Sequence, residues 1–234
     1  MSDSLHTHLL FEIENHSSPS KQGEQYFGTP HKFKNLKAAN RKKIAKAFKT
    51  NNPLSQVEYE DLLHELYVSD LHQAKLMAGE LLKVYPQYRK QLNLKKLNTW
   101  LGFLSGWAEV DGTCQSSFTA KELLERWDEW RTLLESLNQD KNINKRRASL
   151  VLLVRAVRDS TDQRFTKLAL ENIDTLKSEK DILITKAISW LLREMVKRHK
   201  QLVVSYLQDN QDSLPAIVLR ETWRKVRTGR KSLR

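Results

Sequence analysis

Glycine, proline and cysteine are scarce in this chain of 234 residues, which has 7 glycines, 5 prolines and one cysteine, Cys114. A β-rich fold needs many turn residues, so this scarcity disfavours one. A single cysteine excludes an internal disulfide and a multi-cysteine metal site. No apolar run approaches the roughly 20 residues that span a bilayer, so the sequence predicts no membrane segment.

Motifs of the common nucleophilic hydrolases, NTPases and metalloenzymes are also absent from the sequence. The seven histidines are scattered without a metal-ligand spacing, so we expect neither a metal nor a cofactor. Residues 1–16 lack a basic leader and a small-residue cleavage site, which favours a cytoplasmic protein. The length suits one domain over residues 1–234, with a loose basic tail at 228–234.

Acidic residues are outnumbered, 28 against 40 lysines and arginines, which gives a net charge of +12 and a pI of about 9.7. Such an excess of one sign is destabilising unless an anionic partner offsets it. Of the 40 basic residues, 26 lie in the segments 30–50, 81–96, 141–158 and 220–234. Taken singly, each segment is explained as a solvated helix face or end. Their spacing along the chain indicates one basic stripe that the chain crosses repeatedly.

Apolar residues recur at the three-to-four residue spacing of amphipathic helices through most of the chain. The spacing predicts helices over 58–68, 73–85, 121–137, 148–158, 164–177, 181–198 and 221–227. Capping residues precede several of them, at Ser69–Asp70, Thr119, Ser160–Asp162 and Ser178–Asp181. Residues 201–206 have the composition of a short strand but lie in helical context.

Helix–turn–helix units repeat about every 35–40 residues, which is the period of HEAT-like repeats. The prediction is an all-α fold, an α-solenoid of antiparallel helix pairs with a concave basic face. Helices that begin near residues 38, 93, 143 and 181 should line that face.

The first candidate for chemistry is a tryptophan and an aspartate one turn apart, Trp107 and Asp111. On a helix they share a face, which also carries apolar residues. Burying a carboxylate beside a tryptophan is costly, so the pair is a candidate functional site. Because Gly112 follows, Asp111 is equally well explained as the exposed last residue of a helix.

The second candidate is Trp190, which falls outside the apolar stripe of its predicted helix and beside Lys186, Arg193 and Lys197. A tryptophan among cations suits contact with a π system, a cation or a sugar, while the cations hold phosphate. The alternative is that Trp190 packs on a neighbouring repeat.

The third candidate is the basic run Lys145, Arg146 and Arg147 at the start of an apolar helix. The free amide groups of a helix start favour anion binding. Both arginines flank the predicted core stripe, so the pattern does not choose between them, and a charge run is more often solvated surface.

These segments resemble the AlkD-like DNA alkylation repair glycosylases, an all-helical family built from HEAT-like repeats. The resemblance covers nearly the whole chain and is clearest at residues 186–226. Residues 24–42 are similar to the family's Tyr and Phe-x-x-Leu segment, 106–111 to its Asn-Trp-Asp-x-Val-Asp block, and 145–151 to its arginine-bearing helix. Gly106 and Ala108 stand where that block has Asn and Asp, and residues 142–145 lack the tryptophan common there.

The resemblance implies Asp111 as the catalytic aspartate. The lesion-contacting and DNA-contacting residues would be Trp107, Trp190, Tyr26, Arg193 and Arg147, or Arg146 if the alignment slips by one.

The function implied by the resemblance is a DNA glycosylase of base excision repair that removes cationic N3- or N7-alkylated purines from duplex DNA. The resemblance also implies that the lesion need not be flipped into a deep pocket. We expect a monomer that is cytoplasmic and nucleoid-associated when on DNA. A non-catalytic helical-repeat DNA-binding protein would keep the basic stripe without needing Asp111. A solenoid that binds an acidic protein would need neither Asp111 nor Trp190.

Overall fold

The protein is all-helical over the residues that a computed structural model describes, which are 5–18, 26–115 and 117–230. No strand occurs in these ranges, only two isolated β-bridges. The predicted all-α class is therefore confirmed. Within the same ranges, no helix has the length and apolar character needed to cross a membrane.

The helices alternate with short loops along the chain. They are α1 (Leu5–Asn15), α2 (Ala38–Asn51), α3 (Gln56–Val68), α4 (His72–Val84), α5 (Pro86–Arg89), α6 (Leu94–Leu101), α7 (Gly106–Cys114), α8 (Ala120–Glu125), α9 (Trp127–Asn138), α10 (Ile143–Asp159), α11 (Gln163–Leu176), α12 (Ile182–Asp209) and α13 (Ala216–Thr228).

Two compact units make up the chain, Met1–Ser117 with α1 to α7 and Phe118–Arg234 with α8 to α13. Helices begin at residues 38, 94, 143 and 182, within one residue of the predicted starts. The single domain over 1–234 and the solenoid with its concave basic face stay predictions. Part of the predicted tail, residues 231–234, lies outside the described residues.

Capping side chains fix several helix starts. Thr119 forms a capping box with Glu122, and Asp162 and Asp181 each accept a backbone hydrogen bond in the first turn of the helix that follows. These three caps were predicted from the sequence. The residue before α4 is instead Leu71, because Ser69 already ends α3.

The first unit is centred on α4, which packs against α2, α3 and α7. Its apolar residues Ala74, Met77 and Leu81 are fully buried. The backbones of α4 and α7 are in direct contact, since a Cβ atom on Gly79 would lie 2.5 Å from the carbonyl oxygen of Gly112. Only glycine permits so close a contact. Cys114, the last residue of α7, is buried.

The second unit is built around α10, which packs against α9, α11 and α12, while α12 also packs against α13. The stripe predicted as the core of α12 is fully buried, at Ile188, Leu191, Leu192 and Met195. This helix continues past the predicted end at 198 to Asp209, with non-helical dihedral angles at His199.

Candidate functional site

The accessible face of α7 consists of Trp107, Asp111 and Gly112, which are half-buried, while every other residue of the helix is buried. Trp107 and Asp111 are one turn apart and therefore share that face. The helix runs on to Cys114, so Asp111 lies inside it and is not its last residue. A carboxylate and an indole are thus presented together on an otherwise buried helix.

An exposed tyrosine lies against the indole of Trp107. Trp107 Nε1 donates a hydrogen bond to the Tyr26 carbonyl oxygen at 3.0 Å, and the two rings meet edge to face with centroids 5.7 Å apart. Tyr26 is 69% exposed. Phe27 supports both rings from behind, with its centroid 4.9 Å from Tyr26 and 5.4 Å from Trp107. The result is a small aromatic surface that remains open to solvent.

Gly106, the first residue of α7, lets this aromatic segment approach the helix. Its φ is +74°, and a Cβ atom there would lie 2.2 Å from the Phe27 carbonyl oxygen. A side chain would therefore suffer both backbone strain and a clash. The departure from the family block at this position has a steric reason.

Beneath the aromatic surface, the fully buried carboxylate of Glu109 collects hydrogen bonds from three parts of the first unit. It accepts from Thr29 Oγ1 at 2.7 Å, from Nδ1 of His31 at 2.9 Å, from Nδ1 of His72 at 2.7 Å and from the backbone N–H of Ser105 at 2.8 Å. Burial raises the pKa of Glu109, but these hydrogen bonds outweigh it and hold the pKa below its usual value. Glu109 is therefore an ionised carboxylate at neutral pH.

This cluster of one glutamate and two histidines is a hydrogen-bonded network and does not have the form of a metal centre. In the described part of the chain, no group of three or more His, Cys, Asp or Glu side chains is arranged to hold a metal ion.

In the second unit, Trp190 is half-buried on α12 and two basic side chains of the same helix meet one acid of α13, Glu221. Lys186 Nζ lies 2.8 Å from Glu221 Oε1, and an Arg193 terminal nitrogen lies 3.7 Å from Oε2. Ser189 donates to Oε2 at 2.7 Å. Two of the three cations predicted beside Trp190 are thus paired with a carboxylate of the next helix.

Arg193 is buried within the second unit, and its predicted contact with DNA stays a prediction. Only 7% of the residue is exposed, and its Nε donates to the carbonyl oxygen and hydroxyl of Ser189. Burial lowers the pKa of the guanidinium, which nearby Glu221 and Glu194 partly restore. Lys197, by contrast, is exposed and pairs with Glu194 at 2.8 Å.

The two arginines at the start of α10 have different partners. Arg146 forms a two-point contact with the Glu179 carboxylate, at 2.7 and 3.0 Å, and also donates to the carbonyl oxygens of Asp140 and Lys141. Arg147 is 4% exposed and donates to the Leu183 carbonyl oxygen at 2.5 Å. Both guanidinium groups hold the second unit together, and their predicted DNA contacts stay predictions.

The structure therefore brings Tyr26 against Trp107, and it brings Lys186 and Arg193 to one shared carboxylate, Glu221. These two groups lie in different compact units. The sequence analysis missed the two buried carboxylates that organise these pairs, Glu109 and Glu221. The partners of Glu109 lie 4 to 80 positions away from it along the chain, and those of Glu221 lie 28 to 35 positions away. No local spacing therefore indicates either carboxylate. The only local signal is an acid in the first turn of α7, which suits any helix start.

These observations define a class: an all-α, basic protein in which one helix presents an accessible tryptophan and aspartate. A family model described as DNA alkylation repair enzyme matches residues 10–226, and the chain belongs to that family. A solved structure described as a predicted DNA alkylation repair enzyme from Enterococcus faecalis is similar, with a TM-score of 0.71 and 19% identity over 88% of this chain and 93% of that one. At this identity the likeness shows the fold alone. No curated protein matches the chain.

Proposed function

We propose that this protein is a DNA glycosylase of base excision repair that releases cationic N3- or N7-alkylated purines from duplex DNA. The observation that carries the proposal is the accessible face of α7, where Asp111 and Trp107 lie together beside exposed Tyr26. Membership of a DNA alkylation repair enzyme family supports a role in repair. The basic stripe would follow duplex DNA along a concave face of HEAT-like repeats, with the protein acting as a monomer in the cytoplasm.

The charge of the substrate explains why one aspartate is enough. An alkylated purine is already cationic, so its C1′–N bond breaks with the electron pair leaving to the base, and no general acid is needed. Positive charge then develops on the deoxyribose, and the Asp111 carboxylate would stabilise it electrostatically. Water adds to C1′ and loses one proton, leaving free base and an abasic site.

Aromatic faces would hold the cationic lesion. Trp107 and Tyr26 form an open aromatic surface in the first unit, and Trp190 would contribute a second indole from α12. A cation against an indole face gains about 0.5–2 kcal/mol. An undamaged base carries no such charge, so this attraction favours the lesion. Lys186, Lys197, Arg193 and Arg146 or Arg147 would hold the DNA backbone.

Release of 7-methylguanine from duplex DNA by Asp111→Asn tests the proposal. This change keeps the side-chain shape and removes the charge, so we expect a loss of about 10²-fold or more in single-turnover rate, equivalent to about 3 kcal/mol. Affinity for the same DNA should stay constant or rise slightly, because a negative charge near phosphates has gone.

Uracil-containing duplex is the matched substrate control, because a neutral leaving base needs a proton donor. Equal release of uracil and 7-methylguanine would refute the mechanism. Wild-type rates for Asp111→Asn would also refute it and would favour the non-catalytic DNA-binding protein.

A further inference from the structure

Resting on the proposed function, we propose that Glu109 is a positioning residue that holds Tyr26 and Trp107 in the arrangement that receives an alkylated base. Its side chain is fully buried, so it cannot touch DNA or the reacting atoms. Its effect on the reaction must pass through the residues it binds. Trp107 lies two positions before Glu109 along α7, and Asp111 lies two positions after it.

The Glu109 carboxylate accepts hydrogen bonds from three separate segments of the first unit. Thr29 and His31 belong to the loop that follows Tyr26, His72 is the first residue of α4, and the Ser105 amide precedes α7. An ionised carboxylate only accepts hydrogen bonds, so all four groups must donate to it. The loop carrying the exposed tyrosine is thereby fastened to the helix carrying Asp111.

A second contact path leads from Glu109 to the aromatic surface through a ring. His72 Nδ1 donates to Glu109, and its Nε2 is buried without a hydrogen-bond partner among the residues the structure describes. The His72 ring stacks on Phe27, with centroids 5.3 Å apart and planes 25° apart. Phe27 in turn contacts Trp107. Glu109 thereby fixes the orientation of the His72 ring, and through it the position of Phe27.

Replacing Glu109 with glutamine tests this role, because the size is kept while one acceptor oxygen becomes a donating NH₂. Either the Ser105 amide then faces the NH₂, which is another donor, or a histidine must change tautomer or lose its hydrogen bond. The matched control is Glu122→Gln, another buried glutamate in the first turn of a helix, whose carboxylate accepts the Thr119 backbone N–H at 2.8 Å.

The first measurement does not depend on activity. The indole N–H of Trp107 is bonded to Tyr26, so its ¹H–¹⁵N resonance, assigned with Trp107→Phe, reports the aromatic contact directly. In Glu109→Gln we expect this resonance to shift and its hydrogen exchange to accelerate by about tenfold or more, which corresponds to at least 1.4 kcal/mol of lost protection. The buried Trp130 indole should not change. An unmoved Trp107 resonance overturns the proposal.

The second measurement is single-turnover release of 7-methylguanine. We expect Glu109→Gln to lower the rate by about tenfold or more, because small misplacements of a site reach about 10²-fold. Affinity for undamaged duplex should change less than twofold, and Glu122→Gln should keep the wild-type rate. A Glu109→Gln rate within twofold of wild type, or equal losses in both variants, overturns the positioning role.

The two proposals fail in different ways. If the wild-type protein releases no base while the Trp107 resonance responds to Glu109→Gln, the glycosylase proposal falls and the positioning of the aromatic surface stands. If wild type is active and neither readout responds, only the role of Glu109 falls.

Discussion

Glu221 determines how two cations of α12 are presented. It binds Lys186 and Ser189 directly and lies near Arg193, so these side chains are ordered before any DNA arrives. Ordered side chains lose less conformational entropy on binding. The same carboxylate also cancels part of their charge. The cluster beside Trp190 is therefore better suited to fixing geometry than to attracting DNA from a distance.

The residue-scale prediction follows from the pKa of Glu221. Burial raises that pKa, but Lys186, Ser189 and Arg193 together lower it below the ordinary value of 4.5. A carboxyl whose pKa is lowered by folding stabilises the protein above its unfolded pKa, and this contribution disappears as the pH falls through the folded pKa. We expect Glu221→Gln to lower the free energy of unfolding at pH 7 by about 1–3 kcal/mol. The difference from wild type should shrink below pH 4.5.

Urea unfolding at neutral pH and at several pH values below 4.5 measures this difference. Glu135→Gln is the control, since it removes an exposed pair with Arg131 and should cost less than about 1 kcal/mol. A Glu221→Gln difference that stays constant down to the lowest pH would contradict the prediction.

The prediction at the scale of elements concerns Gly106, which allows the Tyr26–Gly28 segment to pack closely on α7. Gly106→Ala adds both the strain of a positive φ and a clash with the Phe27 carbonyl. Gly229 also has a positive φ, of 67°, but nothing lies within 4 Å of where its Cβ would be. The pair therefore separates clash from strain, which alone costs about 1–2 kcal/mol.

We expect Gly106→Ala to lower the free energy of unfolding by at least about 1 kcal/mol more than Gly229→Ala, as overpacking costs typically 1–3 kcal/mol. Thermal or urea unfolding measures both. Equal losses of unfolding free energy in the two variants would mean that the Tyr26–Gly28 segment moves aside at no cost and is not packed tightly on the helix.

Local periodicity was enough to find most helices. The predicted 58–68 and 164–177 agree with Gln56–Val68 and Gln163–Leu176, because each buries one apolar stripe. The prediction of one helix over 121–137 was wrong, since the chain breaks at Arg126, with φ −130° and ψ 44°. Amphipathic spacing continues across that break, so the sequence gives no local sign of it.

Strand-like composition at residues 201–206 was overridden by the helix in which those residues lie. The site residues divide in the same way. Trp107 and Asp111 follow from a one-turn spacing, whereas the Glu109 network depends on donors that only the fold brings together. Sequence spacing predicts which face a side chain occupies and cannot predict which distant group meets it.

For the whole molecule, the question is which of the 40 basic residues can meet phosphate. Several are already paired, as in Arg146 with Glu179 and Lys145 with Asp140. On α2, the exposed residues Lys42, Lys43 and Lys46 have no ion pair with any residue the structure describes. Like charges one turn apart repel each other, and a phosphate backbone relieves that repulsion.

We expect the triple variant Lys42→Gln, Lys43→Gln, Lys46→Gln to weaken binding to damaged and undamaged duplex equally. The slope of log affinity against log salt should fall by about 0.9 for each phosphate that the variant no longer neutralises. The charge-matched control is Lys121→Gln, Arg126→Gln, Arg131→Gln, because each of these three cations is already paired with a glutamate three or four positions further along the chain.

Fluorescence anisotropy between about 50 and 200 mM salt measures both slopes, because a protein that neutralises about six phosphates weakens by about 10³ over that range. Identical salt slopes in the two variants would contradict the prediction that α2 contacts DNA. A DNA affinity that does not change with salt concentration would favour an acidic protein as the partner.

The buried thiol of Cys114 gives the molecule a reporter of its own. It is the only cysteine of the chain, and it ends the helix whose accessible face carries Trp107 and Asp111. A thiol reagent can reach it only when α7 separates from the first unit, so the labelling rate counts openings of that helix. Ligand that docks on α7 should slow the labelling, whereas ligand held elsewhere should leave it unchanged. The native sequence therefore already contains the probe for where a substrate binds.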